Sequence, residues 1–123
     1  MRPIPKKLRD ILASDPFMKR CLYDNKNCNG SVQWHHNFIH AGRQVNEVWA
    51  IVPLCAHHHD RIKTDKSVVN TVCMLRSDGN YKNYASDYFK QQYSLAQKNK
   101  SFIPERIRLM IKNEKTFLQE VQK

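Results

Sequence analysis

Residues 34–59 read WHHNFIHAGRQVNEVWAIVPLCAHHH, and the fold that we expect is built around them. Five of the six histidines of the chain form two tight clusters within it, the pair His35-His36 and the run from His57 to His59. A histidine pair leaving a strand and a Cys-x-x-His-His group opening a helix can bind a divalent metal beside a general base. The sequence therefore predicts metal-dependent chemistry.

The local pattern around these clusters predicts a ββα unit. Val32 to His36 and Val48 to Val52 are β-rich runs joined by a polar loop that contains Gly42, which indicates an antiparallel hairpin. Cys55 to Lys63 has no helix breaker and begins just after Pro53, so we expect a helix that packs on the hairpin. His35 and His36 would face opposite sides of a regular strand, which predicts irregular backbone at the strand end.

The segments on either side of this unit show mainly helical patterns. Apolar positions at helical spacing predict a short helix over residues 5–13, and a turn is expected at Asp78-Gly79-Asn80. The valine-rich run from Ser67 to Leu75 suits a helix or a strand equally well. One long helix is predicted from Tyr84 to Ala96, and another begins near Pro104. The expected fold class is α+β.

Charge is unevenly distributed along a chain whose 123 residues predict a single domain, residues 1–123. The formal net charge is +10: residues 1–20 carry +4, residues 21–65 carry zero and residues 66–123 carry +6. The proposed core, residues 21–64, therefore carries almost no net charge and lies between two basic helical flanks. This distribution predicts a nucleic-acid partner, with the flanks on the phosphate backbone, although any single lysine could simply be a solvated surface residue.

The four cysteines are expected to be metal ligands or buried thiols rather than disulfides. Cys21 and Cys28 precede the histidine clusters and, with Cys55, provide enough ligands for one structural and one catalytic metal. Adjacent helical residues point about 100° apart, so His58 and His59 are expected to bind different ions.

Taken together, these residues resemble the HNH family of ββα-metal endonucleases, particularly its small phage-type enzymes, whose metal helix opens with Pro-Leu-Cys-x-x-His-His. The resemblance covers about residues 21–64. It implies that His35 binds the catalytic metal, that His36 is the general base and that His59 supplies a further catalytic ligand. It also implies a structural zinc site, which is formed by the following residues: Cys21, Cys28, Cys55 and His58.

The resemblance implies hydrolysis of a phosphodiester, with DNA as the expected substrate, leaving 5′-phosphate and 3′-hydroxyl ends. His36 would take a proton from water, while a Mg²⁺ or Mn²⁺ ion on His35 and His59 would neutralise phosphate charge. Arg43 and Lys63 are candidates to hold phosphate oxygens, and a solvated surface role is equally open for each.

Two positions depart from the family pattern. The middle asparagine of the family would lie near Ala50, and the asparagine in reach is Asn46, so either Asn46 or a backbone carbonyl would orient His36. Six residues separate Cys21 from Cys28, more than in usual zinc knuckles. Cys73 could then replace His58 in an all-cysteine zinc site.

Two rival functions remain open on the sequence. A zinc-stabilised nucleic-acid-binding module without catalysis would share the charge and the zinc but need neither His35-His36 nor His59. The second rival is a nuclease acting on RNA. The tail helices could instead dock a recombination or replication partner.

His40 and His57 are expected to be ordinary side chains whose hydrogen bonds are satisfied. The N-terminus lacks the apolar run of a secretory signal and no segment predicts a membrane span, so a cytoplasmic location is expected, that of the host if a phage encodes the chain.

Overall fold

The computed structural model of the protein describes residues 4–40, 43–62, 66–84 and 86–121. The architecture is α+β, as predicted. The described part contains five α-helices and two small antiparallel sheets of two strands each. The helices are α1 (Lys6–Ser14), α2 (Ala56–Arg61), α3 (Ser67–Ser77), α4 (Asp87–Asn99) and α5 (Glu105–Val121), and the strands are β1 (Val32–His36), β2 (Ile39–His40), β3 (Arg43–Gln44) and β4 (Ile51–Cys55).

The main sheet pairs β1 with β4, so that Val32 lies opposite Cys55 and His36 lies opposite Ile51. The prediction of the second strand over Val48 to Val52 was wrong by three residues. Val48–Ala50 forms a short 3-10 turn, and the strand continues through Pro53 to Cys55. Pro53 is tolerated because both strands of a two-stranded sheet are edges; its carbonyl accepts a hydrogen bond from Leu22 N at 2.8 Å.

The loop between β1 and β4 contains a second sheet, in which Ile39 pairs with Gln44. Beyond β4 the chain enters α2, which packs on both strands of the main sheet. The loop before β1 approaches α2 closely at Gly30, whose φ is +85° and where a Cβ atom would lie 2.8 Å from Ala56 Cβ. Glycine is therefore required there on both conformational and steric grounds.

The undecided segment after α2 is helical. Most of α3 is buried, including Val69, Val72 and Met74, so the valine-rich run that also suited a strand forms a core helix. The predicted turn closes α3: Asp78 adopts φ 49° and Gly79 adopts φ 93°, the left-handed conformations typical of helix ends.

The helices α1 and α5 lie within one residue of their predicted starts, at Lys6 and Glu105. The helix predicted from Tyr84 instead begins at Asp87, because the Ser86 side chain caps it by accepting from Tyr88 N at 3.2 Å. None of the described helices is both long and apolar enough to cross a bilayer.

A buried ion pair joins α3 to α5 inside the core. Arg76 donates to both carboxylate oxygens of Glu114, at 2.8 and 2.7 Å, and to Ile51 O at 2.6 Å. Its guanidinium also lies 4.1 Å from the ring centroid of Phe17. These contacts tie the N-terminal segment, β4, α3 and α5 to one centre.

Candidate metal centre

Four side chains form a closed cluster between the N-terminal segment, β4 and α2. The ligand atoms of Cys21, Cys28, Cys55 and His58 all lie within 4.8 Å of one another. The distances from His58 Nδ1 to the three sulfurs are 3.5, 3.6 and 3.1 Å, in that order. Tetrahedral zinc with bonds of about 2.3 Å to sulfur and about 2.0 Å to nitrogen separates such atoms by about 3.6 Å. The donor set therefore fits a structural zinc.

The local sequence explains how distant cysteines meet. Leu22 N bonds to the Pro53 carbonyl at 2.8 Å, which fastens the Cys21 segment to β4. The six-residue interval to Cys28 is taken up by a turn in which Asp24 has φ 40° and Cys28 N bonds to Asn25 O at 3.0 Å. The wide spacing thus reflects a longer turn and does not remove Cys28 from the cluster.

The ring of His58 is held from outside the cluster as well. Tyr23 stacks on it, with ring centroids 4.6 Å apart and planes inclined by 24°. Arg106 of α5 donates to the carbonyls of Leu22 and Tyr23, each at 3.0 Å, and so fixes the chain that carries both Tyr23 and Cys21. His57 packs edge-on against His58, with ring centroids 5.1 Å apart.

The thiols of the cluster have different acidities without a metal. Burial would raise the pKa of Cys55, but hydrogen bonds from the backbone of His58 and Asn29 outweigh it and lower the pKa to about 6. Burial raises the pKa of Cys28, partly opposed by a backbone hydrogen bond at Asn25. Cys55 is therefore largely a thiolate at neutral pH, the form that binds zinc.

Cys73 does not belong to this cluster. It lies fully buried in α3, where its sulfur accepts a long hydrogen bond from Asn37 Nδ2 at 3.7 Å. Burial raises the pKa of its thiol to about 12, so the group is neutral. Among the described residues, the metal-binding cluster contains His58 and not Cys73, which argues against the all-cysteine alternative.

A second pair of ligand atoms lies where β1 faces α2. His35 Nδ1 is 3.3 Å from His59 Nε2, which is about the separation of two nitrogens bound tetrahedrally to one ion at about 2.0–2.1 Å. His58 and His59 thus contact different neighbours, the cysteines and His35 respectively. No third cysteine, histidine or carboxylate joins this pair within the part of the chain that the structure describes.

The His35-His36 pair occupies the last two positions of β1, and the backbone there is regular. The predicted irregularity is absent from the described strand, whose register runs unbroken to His36, and Asn37 N continues the pairing to Ala50 O at 2.9 Å. The two side chains therefore alternate in direction.

Burial lowers the pKa of both histidines of the pair. For His35, the positive charge of His59 acts in the same direction, while the Asn37 side chain opposes it. For His36, the nearby Asn46 side chain opposes the effect of burial. Both ring nitrogens of His36 are buried, and neither has a hydrogen-bond partner of ordinary geometry within the described residues. Both rings are therefore mainly neutral at pH 7, as a metal ligand or a general base must be.

The structure places Asn46 beside His36, in an exposed position where its Oδ1 accepts from Gln44 Nε2 at 3.1 Å. Arg43 and Lys63 were predicted to contact phosphate. The side chain of Arg43 and the whole of Lys63 lie outside the described residues. The His40 side chain lies outside them too.

Two amide side chains near the histidines were missed in the sequence. His59 Nδ1 lies 2.5 Å from Gln33 Oε1, and Asn37 lies next to His35. Gln33 and Asn37 stand two positions before and after His35, so the two-residue period of a strand places all three on one face. That period was the signal available in the sequence.

The sequence matches no protein-family model, and comparison with curated proteins and with solved structures finds no significant similarity. The geometry and chemistry of the two clusters are therefore what point to a function.

Proposed function

We propose that this chain is a metal-dependent endonuclease of the ββα-metal, HNH type, acting on nucleic acid and by preference DNA. The observation that carries the proposal is the 3.3 Å approach of His35 Nδ1 to His59 Nε2, directly beside a closed three-cysteine, one-histidine cluster. A zinc-stabilised binding module needs the cysteine cluster only, whereas the His35–His59 pair brings two further metal-binding nitrogens together beside it.

The two clusters differ in the way that structural and catalytic metal sites differ. The cysteine cluster offers four ligands and leaves no position for substrate, which suits zinc. The His35–His59 pair offers two nitrogens, so water and phosphate oxygens would complete the coordination. An Mg²⁺ or Mn²⁺ ion bound there would supply charge stabilisation for the scissile phosphate and for the leaving 3′ oxygen.

We assign general-base work to His36, which follows His35 at the end of β1 and points to the other face of the strand. Burial lowers its pKa, so that the ring is neutral near pH 7, and both ring nitrogens are buried and without a hydrogen-bond partner among the described residues. A neutral imidazole nitrogen can accept a proton from an attacking water. Asn46 lies beside the ring and is suited to orient it.

The charge of the chain supports a polyanionic substrate. The formal net charge of +10 comes from the flanks, while residues 21–65 carry equal numbers of acidic and basic side chains. Cationic flanks that bind the phosphate backbone would hold nucleic acid across a neutral centre that performs the chemistry.

The decisive experiment incubates the purified full chain with plasmid, single-stranded DNA and RNA, each with Mg²⁺, Mn²⁺ or excess EDTA. We expect cleavage of DNA that requires added metal and leaves 5′-phosphate and 3′-hydroxyl ends. The His36→Ala protein, with its zinc content checked, is the control for contaminating nuclease. Binding of DNA without cleavage in any metal would leave the zinc-stabilised binding module, and cleavage of RNA alone would change the substrate.

A further inference from the structure

We propose that Gln33 and Asn37 are positioning residues that hold His59 and His35 by the ring nitrogens turned away from the catalytic ion. The inference rests on the proposed function, since it assumes an ion between the two histidines. Gln33, His35 and Asn37 are spaced two residues apart and therefore lie on one face of β1 and its continuation. This face supplies one metal ligand, His35, and the two amide side chains that position the histidines.

The support of His59 is seen directly. Its Nδ1 lies 2.5 Å from Gln33 Oε1, an oxygen that can only accept, so Nδ1 carries the proton. The other nitrogen, Nε2, is then left with its lone pair, and this is the atom that faces His35 at 3.3 Å. Gln33 therefore selects the tautomer that can bind a metal through Nε2.

The support of His35 follows from two buried atoms without partners. His35 Nε2 and Asn37 Oδ1 are both buried and lack a hydrogen-bond partner within the described residues. When Nδ1 binds an ion, Nε2 must carry the proton and needs an acceptor. Asn37 Oδ1 is an acceptor of the required kind on the same strand face.

The orientation of Asn37 is itself determined by the helices behind it. Asn37 Nδ2 donates to Asn70 Oδ1 at 2.7 Å, and Asn70 Nδ2 donates to Gln92 Oε1 at 3.4 Å. With its NH₂ group bound to α3, Asn37 can present only its oxygen elsewhere. A chain of three amides thus connects α4 and α3 to the histidine pair.

The test measures metal affinity rather than cleavage. Mn²⁺ is titrated into the full chain loaded with one equivalent of zinc at fixed pH, and free Mn²⁺ is followed by electron paramagnetic resonance. We expect Gln33→Leu and Asn37→Ala each to raise the Mn²⁺ dissociation constant by about 10- to 100-fold, the range typical of lost support behind a metal ligand.

Gln33→Glu retains an acceptor oxygen and should restore near wild-type affinity, which a merely structural role would not predict. Gln91→Leu, at an exposed position on α4, is the matched amide control and should change nothing. Melting temperature and zinc content establish that each variant is folded. If Asn37→Ala does not fold, Asn70→Ala releases the same amide and replaces it.

The outcomes separate the two proposals. Wild-type protein that binds no Mn²⁺ beyond its zinc overturns both the inference and the catalytic ion. Wild-type protein that binds Mn²⁺, with Gln33→Leu and the folded Asn37 or Asn70 variant binding equally well, overturns the inference alone and leaves the proposed function standing.

Discussion

His36 differs from His35 and His59 because neither of its ring nitrogens has a hydrogen-bond partner among the described residues. Both nitrogens are buried, and no described protein group satisfies their hydrogen-bonding capacity, so the ring has no evident part in fixing the fold. At the scale of single residues, the three histidines therefore divide between metal binding and proton transfer, and substitution should separate these duties.

Replacing His36 with Ala should abolish proton transfer while leaving the cysteine cluster and the His35–His59 pair intact. A general base is typically worth about 10²–10⁴ in rate, so cleavage should fall by that factor at unchanged DNA affinity. His59→Ala should also suppress cleavage, but by weakening the ion, so that excess Mn²⁺ restores part of the activity. Cleavage rates across a Mn²⁺ titration distinguish the two; rescue of His36→Ala by metal would contradict the assignment.

Asp15 provides a second prediction at this scale, concerning pH. Burial, then a hydrogen bond to Glu114 and the charge of Glu114, raise its pKa to about 8 from an ordinary value of 3.8. The folded state thus retains a proton that the unfolded state loses near pH 4. The stability from this proton is present in acid and is lost as pH rises through about 8.

The substitution Asp15→Asn keeps an uncharged side chain next to Glu114 and removes the titration. The variant should melt higher than wild type, with a difference that grows between about pH 4 and pH 8 and then levels off, reaching on the order of 10–20 °C. Thermal melts at constant ionic strength measure this difference. A gap that stays constant between pH 5 and pH 9 would show that Asp15 is not protonated in the fold.

At the scale of elements, rare residue types and chain breakers made the sequence informative. Pro104 marked the start of α5, and the clustered cysteines and histidines identified the ligands before any geometry was known.

Strand β4 was misplaced in the prediction because the run from Val48 to Cys55 is apolar throughout and mostly buried. No alternation of polar and apolar residues indicates where the strand begins. The amides of Gln33 and Asn37 escaped notice because glutamine and asparagine carry no chemical signature of their own.

The cysteine cluster joins three elements, and its loss should therefore affect the whole fold. Cys28→Ser should remove the single tightly bound zinc and lower the melting temperature by on the order of 10 °C or more, because metal-binding free energy is folding free energy in a small domain. Elemental analysis and thermal melts measure both effects. Cys73→Ala is the control: it removes a buried thiol outside the cluster, so zinc content should remain one per chain.

At the scale of the whole molecule, the cations of α5 divide into two groups. Arg106 is committed to the carbonyls of Leu22 and Tyr23, beside the cysteine cluster. By contrast, Arg108 and Lys112 border a groove of about 240 Å³ on an apolar floor, together with Lys100 and with Lys115, which also pairs with Asp78 at 3.4 Å. Arg106 therefore has a structural task, and the groove presents the cations suited to phosphate.

The last prediction concerns this groove and nucleic-acid affinity. Each phosphate contact contributes about 0.7–0.9 to the slope of log affinity against log salt concentration, since binding releases counterions. Reversing both charges, Arg108→Glu with Lys112→Glu, should weaken DNA binding and reduce the slope by about 1–2, while zinc content and metal-dependent cleavage at high protein concentration persist. The double variant Lys82→Glu with Lys90→Glu alters net charge equally on other exposed elements and should leave the slope closer to wild type. Fluorescence anisotropy over a salt series measures both variants, and equal losses would show that the total charge, rather than the groove, attracts the nucleic acid.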